Sequence, residues 1–368
     1  TGLPGFADDP RFATSAARRE NGAALQQLVA DWAKERTKAE IFAANELGVP
    51  LATLPDVAEI LESPQHSARG FWRERRLADG VTVREPGPPI AVAPTAVREP
   101  RRSPGPIPAS TRTPIASDAT PTPRALSGLR IVDLSMWWAG PFCTKLLGDL
   151  GAEVIKVESV QVMDGWRSVS TQPGAERWWE SSHWFAGGNR NKLGVTLDLR
   201  SDLGREAFLR LVERSDVLVE NNSAKVLDQL GVGWDVLSAR NPRLIVVRMA
   251  PLGLSGPYRD FIGFGVHFEG LCGATSVRGY RDEDPTLTWS TFHMDPATGT
   301  AGTFAVLAAL RRRERTGVGE LVEFAQAENV MQHLGEYYVD ASISGRVHTT
   351  PGNRDTWYAP QGCYRAGD

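Results

Sequence analysis

Cysteine is scarce in this 368-residue chain, and its placement is informative. Cys143, Cys272 and Cys363 lie far apart, with no C-x-x-C spacing. This argues against a disulfide framework and against a zinc site, and it fits a reducing cytoplasm. The sequence also lacks any run of about 18 apolar residues and any basic-then-apolar N-terminal region, so neither a membrane span nor a signal peptide is predicted. We therefore expect a cytoplasmic protein without a metal.

The chain also lacks a strong charge of either sign. Its 41 basic and 44 acidic residues give a net charge of −3, and its 41% hydrophobic content is ordinary for a globular protein. Bulk charge therefore favours neither nucleic acid nor a membrane surface as a partner. No G-x-G-x-x-G or Walker A pattern is present, which leaves out the standard dinucleotide and nucleotide-triphosphate fingerprints.

The N-terminal part reads as helical up to about residue 85. Apolar residues recur on one face of 22–37, where Asn21 is the expected N-cap, and further helices are predicted over 39–47 and from Pro55 through Leu61. From Pro86 to Pro123 the composition changes, because this stretch holds 11 of the 25 prolines. It is predicted to be a semi-extended linker.

Beyond the linker, short apolar runs alternate with helical patterns. Strands are predicted over 129–134, 152–157, 193–199, 216–220 and 244–249, with helices over 141–150, 204–214 and 224–230. This alternation predicts an α/β fold with an open, mostly parallel, Rossmann-like sheet. Ligands of such sheets bind at the carboxyl ends of the strands, so the loops after these strands are the candidate site.

One aspartate precedes an unusual helix. Asp295 followed by Pro296 reads as an N-cap with proline at the first helical position. The run from Gly299 to Gly302 makes the first turns slim, so that a ligand or another backbone is able to approach closely. A structural cap is the plain interpretation of Asp295.

Four sequence blocks resemble family III CoA-transferases, the group of the formyl-CoA and crotonobetainyl-CoA:carnitine CoA-transferases. The blocks, in family order, are 139-AGPFCTKLLGDLGAEVIKVE-158, 189-NRNKLGVTLDLRSDLGREAFLRLVERSDVLVEN-221, 241-NPRLIVVRMAPLGLSGPYRD-260 and 293-HMDPATG-299. The resemblance implies the family fold, a large sheet domain with a smaller α+β domain.

The N-terminal segment resembles the C-terminal part of the same family, through 9-DPRFATSAARREN-21, 48-GVPLATLPDVAEILESPQHSARGFW-72 and 87-GPPIAV-92. The segment that matches the end of the family sequence therefore precedes the segment that matches its beginning. We interpret the chain as part of a tandem fusion, with a circular permutant as the alternative. The expected divisions are 1–95 as the helical end of one repeat, 96–127 as linker, 128–345 as the CoA-binding domain of the next, and 346–368 as the start of its small domain.

In the family the aspartate matching Asp295 is the nucleophile, so the resemblance implies an acyl–aspartyl anhydride and an aspartyl-CoA thioester as intermediates. Coenzyme A is expected as a substrate, together with an acyl-CoA and a small carboxylic acid. The residues expected to line its site by position are Trp138, Ala139, Leu197, Arg200, Asn221, Asn222 and Ser223. Arg200 either donates a hydrogen bond to a phosphate oxygen of CoA or is a solvated residue at a helix start. Trp138 either stacks on the ligand or packs against the rest of the protein. Family members form interlocked dimers, so an interlocked homodimer or an intrachain pseudo-dimer is expected.

The chain departs from the family where N-F-R-P-G usually follows a strand, since it has 221-NNSAK-225 and Gln229. This puts its affinity for CoA in question and keeps a noncatalytic scaffold repeat open. The family's racemases need a histidine where this chain has Phe264, although His267 and His293 are nearby in sequence. A lyase using the same aspartate is a further alternative.

Overall fold

The computed structural model describes residues 8–77, 79–92, 124–171, 176–283, 292–355 and 358–367. Its helices are α1 Ser15–Glu20, α2 Gly22–Lys34, α3 Lys38–Ala43, α4 Val57–Leu61, α5 Pro64–Ala68, α6 Ala139–Asp149, α7 His183–Asn189, α8 Asp202–Val212, α9 Val226–Gln229, α10 Trp234–Arg240, α11 Gly265–Leu271, α12 Met294–Thr316, α13 Gln326–Gln332 and α14 Gly335–Ser344. The strands are β1 Trp72–Arg76, β2 Thr82–Pro86, β3 Ile90–Val92, β4 Arg130–Asp133, β5 Glu153–Glu158, β6 Lys192–Thr196, β7 Val217–Glu220, β8 Ile245–Arg248 and β9 Leu321–Phe324.

The described strands form one large sheet and one small one. The large sheet has the order β3-β9-β8-β7-β4-β5-β6, and all its pairings are parallel except β3 with β9. The small sheet is the antiparallel pair β1-β2. The predicted α/β fold with a mostly parallel sheet is confirmed, and each of the five predicted strands is found within three residues of its expected bounds.

Burial of both sheet faces explains why the central strands read as apolar runs. β7 and β8 are buried along their whole length. One face packs against α6 and α12, while the other contributes Val132, Leu218 and Val246 to a core shared with α8 and α10. Among the described residues, no helix is long and apolar enough to cross a membrane.

The slim stripe of α12 is occupied by a neighbouring helix. A Cβ at Gly299 would lie 2.8 Å from the carbonyl oxygen of Ala139, and one at Gly302 would lie 3.3 Å from Sγ of Cys143. Both contacts are with α6. The small residues therefore let the two helices approach closely, and this approach brings the first turns of α6 and α12 together at the carboxyl ends of the strands.

In the N-terminal part the predicted helices are found, but the helical prediction is wrong beyond residue 71. Asn21 occupies the N-cap position of α2, although its side chain makes no capping hydrogen bond there. Residues 72–86 form a hairpin instead, because Val83 is buried against the rest of the protein and the backbone N–H of Arg84 donates to Oγ of Ser342 at 3.1 Å. An alternating strand facing α14 overrides the local helical pattern.

The N-terminal segment packs closely onto the C-terminal half. Its side chains Val57, Ile60 and Phe71 share a core with Phe268 and Tyr338, and β3 adds an edge strand to the large sheet. Two hydrogen bonds of 2.8 Å join the side chain of Asn45 to the backbone of Ile262. Residues 8–92 therefore complete the same structure as residues 128–345. Of the predicted linker, 96–123 lie outside the described residues, and the division of the chain into repeats stays a prediction.

Candidate active site

Asp295 is the second residue of α12, so its prediction as the N-cap is wrong. His293 occupies the cap position without a capping side-chain bond. The reason is a neighbouring carboxylate, since Oε1 of Glu269 in α11 accepts the Met294 N–H at 3.0 Å. The Asp295 carboxylate accepts a hydrogen bond from the backbone N–H of Ala139 instead. It thus lies at the first turn of α6 as well as of its own helix.

The environment of Asp295 makes its carboxyl group an unusually weak acid. Burial and the nearby Glu269 carboxylate raise the pKa of Asp295 from 3.8 to about 6, while the hydrogen bond from Ala139 opposes the shift. Asp295 makes no ion pair with any described residue. An ionised carboxylate at this position is therefore poorly solvated and unneutralised, which is the state in which a carboxylate is most nucleophilic.

Gly265, the first residue of α11, leaves the space that the Asp295 carboxylate occupies. A Cβ on Gly265 would lie 2.1 Å from Oδ2 of Asp295, closer than any real contact. The backbone of Gly265 has no positive φ that would require glycine. The glycine is therefore explained by the carboxylate, which touches the start of α11 as well as the starts of α6 and α12.

A cavity of about 330 Å³ opens beside Asp295. Aromatic rings dominate its lining, and its polar lining groups besides the indole N–H groups are Asp295, Asn221 and Gln326. The lining rings are Trp137, Trp138, Trp166, Phe264, Phe268 and Phe292. We call this space the Asp295 cavity.

A second cavity, of about 190 Å³, lies at the carboxyl ends of β4, β5 and β6. Its floor is apolar, and Arg200, Asp198 and Glu158 lie at its edge. Three predicted residues line it, namely Leu197, Arg200 and Asn222. Arg200 is exposed, and its guanidinium makes no ion pair within the described ranges. We call this space the strand-end cavity.

The loop after β7 lies between the two cavities. Asn221 lines the Asp295 cavity and Asn222 lines the strand-end cavity. The Asn221 amide exchanges hydrogen bonds of 2.8 and 2.9 Å with the backbone of Met136, tying this loop to the loop after β4. Ser223 is half-buried and begins the turn into α9, accepting the Val226 N–H. Asn221 and Asn222 therefore form the partition between the cavities, and Ser223, which lines neither cavity, follows them.

A buried ion pair fixes that partition from below. Arg248 Nε lies 2.8 Å from Oε1 of Glu220, and its other end donates to the carbonyl of Ala224. Oε2 of Glu220 accepts the Asn222 N–H at 2.8 Å. Burial raises the pKa of Glu220, and the Arg248 charge opposes that rise. The predicted loop residues are thus held in place by two charged residues that sequence reasoning did not single out.

Neither His267 nor His293 lines the Asp295 cavity, and Phe264, where the racemases have a histidine, cannot transfer a proton. Phe264 forms part of its wall, 4.8 Å from the Trp137 ring. His267 accepts the Phe264 N–H at its Nδ1, and burial lowers the pKa of His267. His293 points to His333, with 2.7 Å between Nε2 and Nδ1.

Several site residues had no signal in the sequence reasoning. Glu269, Gly265 and Gln326 acquire their roles from contacts between distant segments, and Asp164 holds two of the tryptophans in the wall. The 263-GFGVHFEG-270 stretch carried the only local sign, because two glycines flanking an aromatic residue leave room for close contacts. The described residues hold no cluster of three or more His, Cys, Asp or Glu suited to a metal ion.

Fold and site together define an α/β protein with one unpaired carboxylate where three helices begin, in the first of two neighbouring cavities at the strand ends. A sequence model of CoA-transferase family III matches residues 1–107 and 126–368, and the chain belongs to that family. The resemblance carried by the four sequence blocks is confirmed.

Relatives and solved structures agree with this assignment. The chain is 35% identical over 246 residues to a succinyl-CoA–D-citramalate CoA-transferase of Chloroflexus aurantiacus, covering 67% of this chain and 60% of that protein. It is 33% identical over 353 residues to a probable CoA-transferase of Mycobacterium tuberculosis, covering 92% of this chain and 44% of that protein. A crystal structure of a CaiB/BaiF family protein from Brucella suis superposes with a TM-score of 0.59 at 32% identity, covering 65% and 63% of the two chains. The chain thus spans between about two fifths and two thirds of the length of these proteins.

Proposed function

We propose that this protein moves CoA from an acyl-CoA thioester to a carboxylic acid, with Asp295 as the nucleophile. The observation that carries the proposal is the position of the Asp295 carboxylate. It lies at the first turns of α6, α11 and α12, where backbone N–H groups have no partner within their own helix and the potential is positive. Such a position suits a carboxylate that must attack a carbonyl and leave an oxyanion beside N–H donors.

The proposed sequence conserves atoms at each step. The Asp295 carboxylate attacks the thioester carbonyl, which forms a mixed anhydride and releases CoA thiolate. The thiolate attacks the aspartyl carbonyl, giving an aspartyl-CoA thioester and the first free acid. The acceptor carboxylate attacks that thioester, which forms a second anhydride and releases CoA thiolate again. The thiolate then attacks the acceptor's carbonyl, giving the new acyl-CoA and restoring the Asp295 carboxylate. Splitting one difficult exchange into such steps is the advantage of covalent catalysis.

The two cavities support a division of the CoA molecule. In this proposal the nucleotide part lies in the strand-end cavity near Leu197, Arg200 and Asn222, with Arg200 meeting a phosphate oxygen. The pantetheine arm crosses the partition beside Asn221 and Ser223. The thioester then reaches Asp295 beside Trp138 and Ala139. Because the Asn221 amide is bonded to the Met136 backbone, its role is to position the loop.

A CoA exchange assay tests the proposal. Asp295→Asn removes the nucleophile while keeping shape, and we expect turnover to fall by at least about a thousandfold. Asp202→Asn is the matched control, because Asp202 is also in the first turn of a helix but is exposed. Equal turnover in the Asp295 variant and the control would contradict the proposal. A racemase is disfavoured, since the Phe264 ring has no proton to exchange.

We further propose that the chain is part of a tandem arrangement of two family repeats. The alignment that covers 92% of this chain covers only 44% of its M. tuberculosis relative. This supports the proposal that the chain corresponds to the region where two repeats of such a protein join. The packing of residues 8–92 onto the large sheet supports a pairing of repeats within or between chains. Light scattering at low concentration tests this, because an intrachain pseudo-dimer predicts one compact monomer and an interlocked homodimer predicts twice the mass.

A further inference from the structure

The wall of the Asp295 cavity is a continuous set of aromatic rings. Trp137 lies 4.8 Å from Phe264 and 5.7 Å from Trp166, measured between ring centroids. Trp138 contacts Phe292 at 6.1 Å and Trp166 at 6.0 Å. One face of Trp166 is stacked on Trp184 at 4.9 Å, while the edge-on and tilted contacts of Trp137 and Trp138 leave ring faces for a further aromatic group.

This wall is held in place by one buried carboxylate. Trp137 has a φ of 63°, a backbone conformation that residues other than glycine rarely adopt. Oδ1 of Asp164 accepts the N–H of Trp137 at 3.1 Å and the N–H of Trp166 at 3.0 Å. Nζ of Lys156 lies 3.0 Å from the other oxygen of Asp164.

Gly165 completes this support. A Cβ there would lie 2.1 Å from the Trp137 indole. The indole therefore fills the space left free by that glycine. The position of Trp137 is therefore fixed by the backbone around it.

The described residues that line the Asp295 cavity include no lysine, arginine or histidine. The Asn221 amide is bonded to Met136, and Nε2 of Gln326 donates to the carbonyl of Met249 at 2.6 Å. Apart from the neutral indole N–H groups of its tryptophans, the remaining polar group is Asp295, which is itself an anion when reactive. A second carboxylate on the acyl chain would thus lose water without gaining a cation, and would face a like charge.

We propose that the acyl group transferred by this protein is a monocarboxylate with an aromatic or bulky apolar body, and that dicarboxylates are excluded. The inference rests on the function proposed above. The volume of about 330 Å³ is in the range of pockets that hold small organic ligands. The proposed preference differs from the substrates, succinyl-CoA and citramalate, in the name of its C. aurantiacus relative.

Binding without chemistry tests this inference separately from the function. In the full chain carrying Asp295→Asn, we expect phenylacetyl-CoA to bind at least tenfold more tightly than succinyl-CoA, measured by calorimetry with free CoA as reference. Equal or tighter binding of succinyl-CoA would overturn the inference. A normal binding preference with no adduct on Asp295 in the unsubstituted protein would instead overturn the proposed function alone.

A charge introduced at the rim provides a second readout. Phe264 is 44% exposed, so Phe264→Arg is compatible with folding, and it adds the cation that the cavity lacks. We expect the ratio of phenylacetyl-CoA to succinyl-CoA affinity to fall at least tenfold in this variant. Trp178→Arg is the matched control, because Trp178 is similarly exposed and does not line the cavity. The same change of ratio in both variants, or in neither, would contradict the inference.

Discussion

The two cavities at the strand ends differ in what surrounds them. The Asp295 cavity is walled by aromatic rings and contains one unpaired carboxylate, whereas the strand-end cavity has an apolar floor edged by Arg200, Asp198 and Glu158. One space suits a reaction at a poorly solvated centre, and the other suits a ligand with an apolar face and an anionic group placed near Arg200. In the proposed function, this difference separates the chemistry at Asp295 from the recognition of CoA, with the short partition at Asn221 and Asn222 between them.

The largest effect on this division is expected from Gly265→Ala. The new Cβ would occupy the place of Oδ2 of Asp295 and push the carboxylate from the start of α6. We expect turnover to fall about a hundredfold or more, since misplacing a reacting group by about 1 Å has that effect. Affinity for CoA should be unchanged.

The control for that variant is Gly335→Ala. Gly335 is also the first residue of a helix, and a Cβ on it meets no atom within 4 Å. A Gly265 variant that turned over as fast as the control would show that the reacting carboxylate is not the one beside α11.

A smaller and different effect is expected at the strand-end cavity. Arg200→Ala removes the cation at its edge, and we expect the KM for acyl-CoA to rise about tenfold with kcat little changed, because one charge-assisted contact contributes about 1.5 to 3 kcal/mol. Arg210→Ala, which removes an exposed arginine of α8, is the control. A fall in kcat at constant KM would contradict the division between the cavities.

The pH dependence gives a smaller effect. With the pKa of Asp295 raised to about 6, the nucleophile is protonated below that pH, so the rate of adduct formation should fall about tenfold per pH unit below 6 and be flat above 7. Glu269→Gln removes the neighbouring negative charge and should move this profile to lower pH. Glu314→Gln, in an exposed part of α12, should leave it unchanged. A rate of adduct formation that does not fall below pH 6 would exclude Asp295 as the titrating group.

The smallest effect concerns stability. A carboxyl group whose pKa is raised by folding contributes stability at low pH that is lost as the pH rises through about 6. Asp295→Asn should therefore raise the free energy of unfolding at pH 8 by about 1 to 2 kcal/mol, and by less at pH 4. Urea denaturation at the two pH values measures this, and a destabilised variant at pH 8 would be the opposite result.

The same contrast between regions governs what the sequence predicts. The sheet core was predictable, because strands such as 216–220 and 244–249 are apolar runs bounded by turns. A strand that is buried on both faces requires apolar side chains along its whole length, and this pattern is visible in the sequence. The hairpin at 72–86 was not, since only packing against α14 selects strand over helix there.

The site divides in a similar way. Asp295 was identified through the resemblance of its flanking residues to a family motif, while its environment was not predictable. Glu269 and Gly265 lie more than 20 residues from Asp295 in the sequence, and Asp164 lies more than 20 residues from Trp137. Their roles arise from the meeting of α6, α11 and α12, which no local pattern encodes.

The most direct measurement is the mass of the peptide that contains Asp295 after reaction with acyl-CoA and hydroxylamine. An activated aspartyl carbonyl is trapped by hydroxylamine as a hydroxamate, so the account predicts a hydroxamate at Asp295 that requires acyl-CoA and is absent from Asp295→Asn. An unmodified Asp295 in a protein that still turns over acyl-CoA would contradict it.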